Sequence, residues 1–182
     1  MLTQKKENPM AVRSKNALAA ALLKLMMVRD FGEISISDIA ARAGLARQTF
    51  YTNFVRKEDI LLYLIRGLFD RCHGKLSRTP APENLLIDYF LFWGGSRDFL
   101  SPLFRQGLGA LFQDMNRAFF LEDTAFLDPF FTAEDWQLAY IKAGIAGITY
   151  ELLYLWITEE QGLPVSVLNT LTLNLLDGKI FS

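Results

Sequence analysis

The sequence predicts an all-α fold: a three-helix head carrying a helix-turn-helix, followed by a larger helical body. Three observations lead there. Apolar residues recur three and four apart through most of the chain, the spacing of one helix face. No stretch alternates convincingly beside a second stretch that could pair with it as a sheet. Glycine and proline fall between the periodic segments, where helices stop and start. With 51% hydrophobic and 13% aromatic residues in 182, the chain carries enough apolar surface for a substantial core, and its composition is not that of a disordered polypeptide.

Leu18, Ala21, Leu22, Leu25 and Met26 form the stripe of a first helix over residues 12–28, with Lys15, Lys24 and Arg29 off it. Asp30-Phe31-Gly32 ends that helix, with Gly32 as the chain-reversing residue. Residues 33–37 alternate and would pass for a short strand, but no partner strand follows. Ser35 reads instead as a helix N-cap, with Asp38 three residues on, near the positive helix end. A short helix over 37–43 stops at Gly44, and a second runs from about 46 to 54. Residues 57–75 make a long helix on Ile60, Leu61, Leu64, Ile65 and Leu68.

Residues 77–82, with two prolines, read as a connector. Helices are expected over 83–93, 102–112 and 113–120, a loop over 121–132, and two closing helices over 133–160 and 164–176. Pro164 stands at a helix start, where a missing N–H costs nothing. The domain division is placed between residues 1–57 and 58–182.

The net charge of −1 conceals an asymmetry. Residues 1–60 hold 10 Lys and Arg against 6 Asp and Glu, whereas 61–182 hold 9 against 14. A basic head on an acidic body suits contact with phosphates. The one cysteine, Cys72, cannot form an internal disulfide and fits a reducing cytoplasm. The most apolar run, 143–157, is interrupted by Glu151 and is too short to span a membrane. No leader-like apolar segment is read near residue 1.

Residues 35–57 are the informative segment. Two short helices joined at Gly44 form a helix-turn-helix, whose second helix is shaped for the major groove of DNA. Ile36, Ile39, Ala40 and Ala43 are expected to face the core, Leu45 to fill the angle between the helices, and Phe50 and Phe54 to back the second helix. Its other face carries Arg47, Gln48, Thr49, Tyr51, Thr52 and Asn53. Arg pairs with guanine and Gln with adenine through two-point contacts, and a Thr methyl suits thymine.

On these residues the sequence resembles the TetR-like (tetracycline-repressor-like) family. The pattern is Leu18, Ala21, Leu25-Met26, Phe31, Ser35-Ile36, Ile39-Ala40, Ala43-Gly44-Leu45, Phe50-Tyr51, Phe54, Lys57-Glu58 and Leu61. It covers residues 13–65 and is specific as an ensemble. The resemblance implies a homodimeric, ligand-responsive regulator, expected to be a repressor, acting on a palindromic double-stranded DNA operator without a cofactor. It implies that Tyr51 and Lys57 touch phosphates, that Ser35 and Ser37 lie at a groove-facing helix start, and that Arg47, Gln48 and Thr49 lie near base edges. Asp30 stands where the family usually has glycine, predicting a strained or shifted helix end. Ala46 stands where a capping Ser or Thr is common.

The resemblance further implies that the last two helices form a four-helix dimer interface and that the body is an effector-binding domain. Ala143, Gly144, Ala146 and Gly147 permit close helix approach, with Ile148, Leu152, Leu155 and Trp156 supplying apolar area nearby. The same helix would also serve as a central core helix of one chain. Phe90, Trp93, Phe104, Phe112 and Tyr140, within a set that includes Phe126, Phe130 and Phe131, are candidates to line an effector pocket or to fill the core. No metal site is read, since adjacent Cys72 and His73 make no ligand set. Enzyme signatures are missing: Gly107-Leu108-Gly109 lacks the third glycine of a dinucleotide fingerprint. The competing non-enzymatic reading is an interaction module or co-activator that keeps the head and works through a protein partner.

Overall fold

The computed structural model describes residues 8–79, 84–122, 135–160 and 162–176. Phe126, Phe130 and Phe131, and most of the expected loop over 121–132, lie outside them. The described residues form helices α1 (Pro9–Met26), α2 (Ile36–Ala43), α3 (Arg47–Asn53), α4 (Glu58–Leu76), α5 (Leu85–Gly94), α6 (Arg97–Arg105), α7 (Gly109–Glu122), α8 (Asp135–Thr158) and α9 (Val165–Leu176), with a 3-10 turn at Phe31–Glu33. They contain no strand. The chain divides into two compact units, Met1–Ile65 and Arg66–Ser182, and the division falls inside α4.

In the first unit, α1 buries Leu18, Ala21, Leu22 and Met26, the stripe read from sequence. It begins three residues earlier than expected, because Asn8 Oδ1 accepts from the Met10 N–H at 3.0 Å and Pro9 occupies the first turn, a capping arrangement. It ends earlier too, leaving Met27 and Val28 74% and 78% exposed. Gly32 is not the reversing residue, since the positive φ angles fall on Gly44 and Gly107. The chain turns instead through the 3-10 turn, which Asp30 enters with an ordinary extended backbone (φ −66°, ψ 139°). The strain expected there is not present.

The second unit is built around Trp93. Its ring centroid lies 4.7 Å from those of Phe69 and Phe112, and Phe69 also meets Phe119 at 5.2 Å. Each such pair contributes ~0.5–1.5 kcal/mol beyond area burial. A polar seam crosses this core. Tyr89 Oη donates to Asn116 Oδ1 at 2.7 Å, and Asn116 Nδ2 donates to the Ala146 carbonyl at 2.9 Å. Pro102, expected to open a helix, sits inside α6. The hydrogen bond it forfeits would have gone to the carbonyl of exposed Asp98, which water can solvate. Leu103 is buried beside it. At the end of α6, Gly107 (φ 72°) reverses the chain and the Leu108 N–H reaches the Leu103 carbonyl at 3.0 Å.

Candidate nucleic-acid interface

The geometry of α2 and α3 follows from their ends. Ser35 Oγ accepts from the Asp38 N–H at 3.1 Å while Asp38 Oδ2 accepts from the Ser35 N–H at 3.0 Å, a reciprocal capping box. The Ser35 hydroxyl also donates to Asp38 Oδ2 at 2.8 Å, and Arg29 lies 3.4 Å from the same oxygen. Hydrogen bonds from the Ser35 backbone, then from its hydroxyl, hold the Asp38 carboxyl below its ordinary value, with Arg29 adding to the effect. Gly44 ends α2 at φ 68°, and the Leu45 N–H returns to the Ala40 carbonyl at 2.9 Å. That left-handed residue sets where α3 departs. Ile39 and Ala40 are buried beneath the crossing, as expected, whereas Ile36 and Ala43 are only half-buried.

Phe50, fully buried, anchors α3 from behind, with Phe54 at 6.0 Å between ring centroids. Arg47, Gln48, Tyr51 and Thr52 are exposed on the opposite side. Arg47 Nη2 donates to Tyr51 Oη at 3.1 Å, and its guanidinium carbon lies 5.6 Å from that ring's centroid. The two side chains therefore stand as one unit. Thr52 Oγ1 donates to the Gln48 carbonyl at 3.1 Å, directing its methyl group as the free apolar surface. Thr49 and Asn53 are half-buried, and Asn53 Nδ2 donates to the Thr49 carbonyl at 2.7 Å. Ala46 provides no side-chain cap, in line with the sequence. Ser35 and Ser37 are both exposed at the start of α2.

Lys57 has a different occupation from the one its resemblance implies. Its ammonium donates to the carbonyls of Phe31, Gly32 (3.2 Å) and Ile34 (2.9 Å), and it lies 4.4 Å from the Phe31 ring centroid. Three N–H donors meet three acceptors, so its hydrogen-bonding capacity is spent on the turn before α2. Asp59 is a positioning residue the sequence reading missed. Its Oδ2 accepts from the Val55 and Arg56 N–H groups at 2.9 and 2.8 Å, fixing the turn from α3 into α4. An acid three and four residues after the turn residues Arg56 and Val55, at the start of the next helix, was the available signal.

In the body, three of the residues proposed for an effector pocket meet as packed core, Trp93 against Phe112 at 4.7 Å and Phe112 against Phe104 at 5.6 Å between ring centroids. Phe90, Trp93, Phe104 and Phe112 are buried, while Tyr140 is 76% exposed on α8. Phe104 borders a cavity of about 310 Å³ at the α6–α7 turn. The proposed contact residues on α8 lie outward: Ala143, Gly144 and Gly147 are exposed, Ile148 and Leu152 half-buried, and Leu155 52% exposed. A Cβ on Gly144 or Gly147 would meet nothing within 4 Å. The opposite face of α8 buries Ala146, Thr149, Leu153 and Ile157, so this helix serves the core of one chain and still offers a second apolar side.

Residues 17–64 match the family model described as bacterial regulatory proteins, tetR family. The chain is 44% identical over 55 residues to the HTH-type transcriptional regulator EthR of Mycolicibacterium smegmatis, covering 30% of this chain and 25% of that one. It is 30% identical over 91 residues to the HTH-type transcriptional regulator AlkX of Mycobacterium tuberculosis, covering 48% and 41%. The matched stretches thus span less than half the length of these relatives. A TetR transcriptional regulator from Streptococcus agalactiae has the same fold, with a TM-score of 0.69 at 22% identity over 92% of this chain and 95% of that one.

Proposed function

We propose, from a TetR-like chain whose head belongs to the tetR family of bacterial regulatory proteins, that this protein is a DNA-binding transcriptional regulator working as a homodimer on a palindromic operator. The observation that carries the reading is α3, a helix pinned by buried Phe50 that turns Arg47, Gln48, Tyr51 and Thr52 to solvent. The Gln48 side-chain amide makes no hydrogen bond to another described residue, leaving both its polar atoms for a base edge. Thr49 and Asn53 act nearer the helix backbone, and Ser35 and Ser37 at the α2 N-terminus suit a phosphate. The outward small-residue side of α8, with Leu155 and with exposed Val167 and Leu171 on α9, is the surface on which two copies would join. Two heads are then available for two half-sites. No described helix is long and apolar enough to cross a membrane.

The test is selection from randomised duplexes followed by binding at several salt concentrations. The expected result is a palindrome bound at least ~10³-fold more tightly than random sequence, with log K falling linearly against log salt. Binding without sequence preference, or none, would favour the interaction-module reading. Repression is expected on a promoter carrying that palindrome, and a reporter assay checks its sign.

A further inference from the structure

The cavity of about 310 Å³ beside the α6–α7 turn has a chemistry of its own. Three aromatic rings wall it: Phe104, Tyr150 and Tyr154, with centroid separations of 5.1 Å (Phe104–Tyr154), 6.1 Å (Tyr150–Tyr154) and 6.3 Å (Phe104–Tyr150). Glu151 is the charged residue among the lining side chains, and Gln113 adds an amide. Gly109 forms part of the floor, where a Cβ would stand 2.8 Å from the Tyr150 hydroxyl. Tyr150 is 92% buried by area (8% exposed), yet its hydroxyl donates to and accepts from no other described residue.

A buried ring whose hydroxyl opens to solvent in the cleft, a lone exposed carboxylate and the faces of three rings are complementary to one kind of ligand. Ring faces attract cations through their quadrupole. The exposed Glu151 carboxylate beside these rings attracts an opposite charge and accepts a charge-assisted hydrogen bond from it. The unpartnered hydroxyl supplies a lone pair for an N–H donor. The volume lies at the small end of ligand sites. We propose that this cleft is a binding site for a small organic cation, a protonated amine carrying a short aryl or alkyl group. Its ammonium sits between Glu151 and the Tyr150 hydroxyl, and its apolar part lies against Tyr154 and Phe104. This names a ligand class for the regulator proposed above, but the binding itself does not depend on that function.

The experiment is calorimetric titration of the full-length chain, without DNA, so that failed operator recognition cannot mask or mimic the outcome. Three probes of matched shape are compared: benzylamine hydrochloride, benzyltrimethylammonium chloride and neutral benzyl alcohol. Both cations are expected to saturate a single site per chain, with the alcohol weaker by about tenfold or more. Glu151→Gln should weaken both cations by a similar factor. Tyr150→Phe should weaken benzylamine and leave benzyltrimethylammonium unchanged, because the latter has no N–H to donate. Glu151 is exposed and the Tyr150 hydroxyl holds no protein group, so both variants should keep the parent melting curve, which is recorded alongside. Equal binding of the alcohol, indifference to Glu151→Gln, or no saturation by either cation up to roughly 10 mM would overturn the site.

Discussion

Arg47 and Lys57 both carry positive charge in the head, and their surroundings separate them. Arg47 is exposed on α3 and tethered to Tyr51 alone, whereas Lys57 is enclosed by three carbonyls. Arg47→Ala should cost ~1–3 kcal/mol on the selected operator and relax preference at one base pair per half-site. Binding to operators randomised one position at a time checks this, and a uniform loss at every position would make Arg47 a backbone contact. Lys57→Gln should instead lower the stability of the head by about 1–2 kcal/mol, as charge-assisted hydrogen bonds are lost. The salt slope of binding should change by less than the ~1 per site expected of a phosphate contact. A full drop in slope with unaltered melting would restore the phosphate role. The residue types were legible in the sequence, but Lys57's carbonyl partners come from a turn 23 to 26 positions away, and no local pattern encodes such a contact.

At the scale of elements, the capping box and the left-handed glycine decide the helix-turn-helix. Ser35→Ala should destabilise the head by ~1 kcal/mol, and Gly44→Ala by ~1–2 kcal/mol, since φ 68° is strained for any residue with a Cβ. Thermal melting of the variants measures both, and a neutral Gly44→Ala would mean the turn relaxes without loss. Asp38 adds a pH dependence. Its folded pKa is lowered below the ordinary aspartate value, chiefly by the Ser35 backbone hydrogen bond. Its contribution is therefore complete above the unfolded pKa and lost as pH falls through the folded one. Asp38→Asn should destabilise by a constant amount at neutral pH, with the difference shrinking below about pH 4. Helix α2 was legible because Ser35 and Gly44 mark its start and stop in its own sequence, and α3, uncapped at Ala46, because Gly44 precedes it and Phe50 and Phe54 back it. The α6 boundaries were not: Pro102 looked like a start because proline favours first turns, and only the exposure of Asp98 makes it tolerable inside.

For the whole molecule, α8 is the deciding element. Its apolar residues run round the helix, a pattern that marks burial without naming the partner. The structure shows which side one chain consumes and which it leaves. Light scattering at micromolar concentration should give twice the 20.7 kDa chain mass. Gly147→Arg should yield a monomer with the parent helix content, because a Cβ there meets nothing within 4 Å in its own chain. A dimer that survives this change, or a monomeric parent, would move the interface elsewhere. The aromatic residues of the body were equally visible in the sequence. Their division between core and cleft was not, because it depends on which rings meet across α4, α5, α6, α7 and α8.

The seam of Tyr89, Asn116 and Ala146 constrains how the body can change shape. Asn116 is 1% exposed, and its amide is satisfied at one axial setting of α7 against α8. Sliding either helix by half a turn, about 2.7 Å, would carry the Ala146 carbonyl away and strand a buried amide, at a cost of ~1–3 kcal/mol before any apolar contact is broken. Tilting or rolling the two helices together leaves the bond intact. A signal crossing this part of the molecule is therefore favoured as the swing of a bolted pair of rods, and a ratchet between them is opposed.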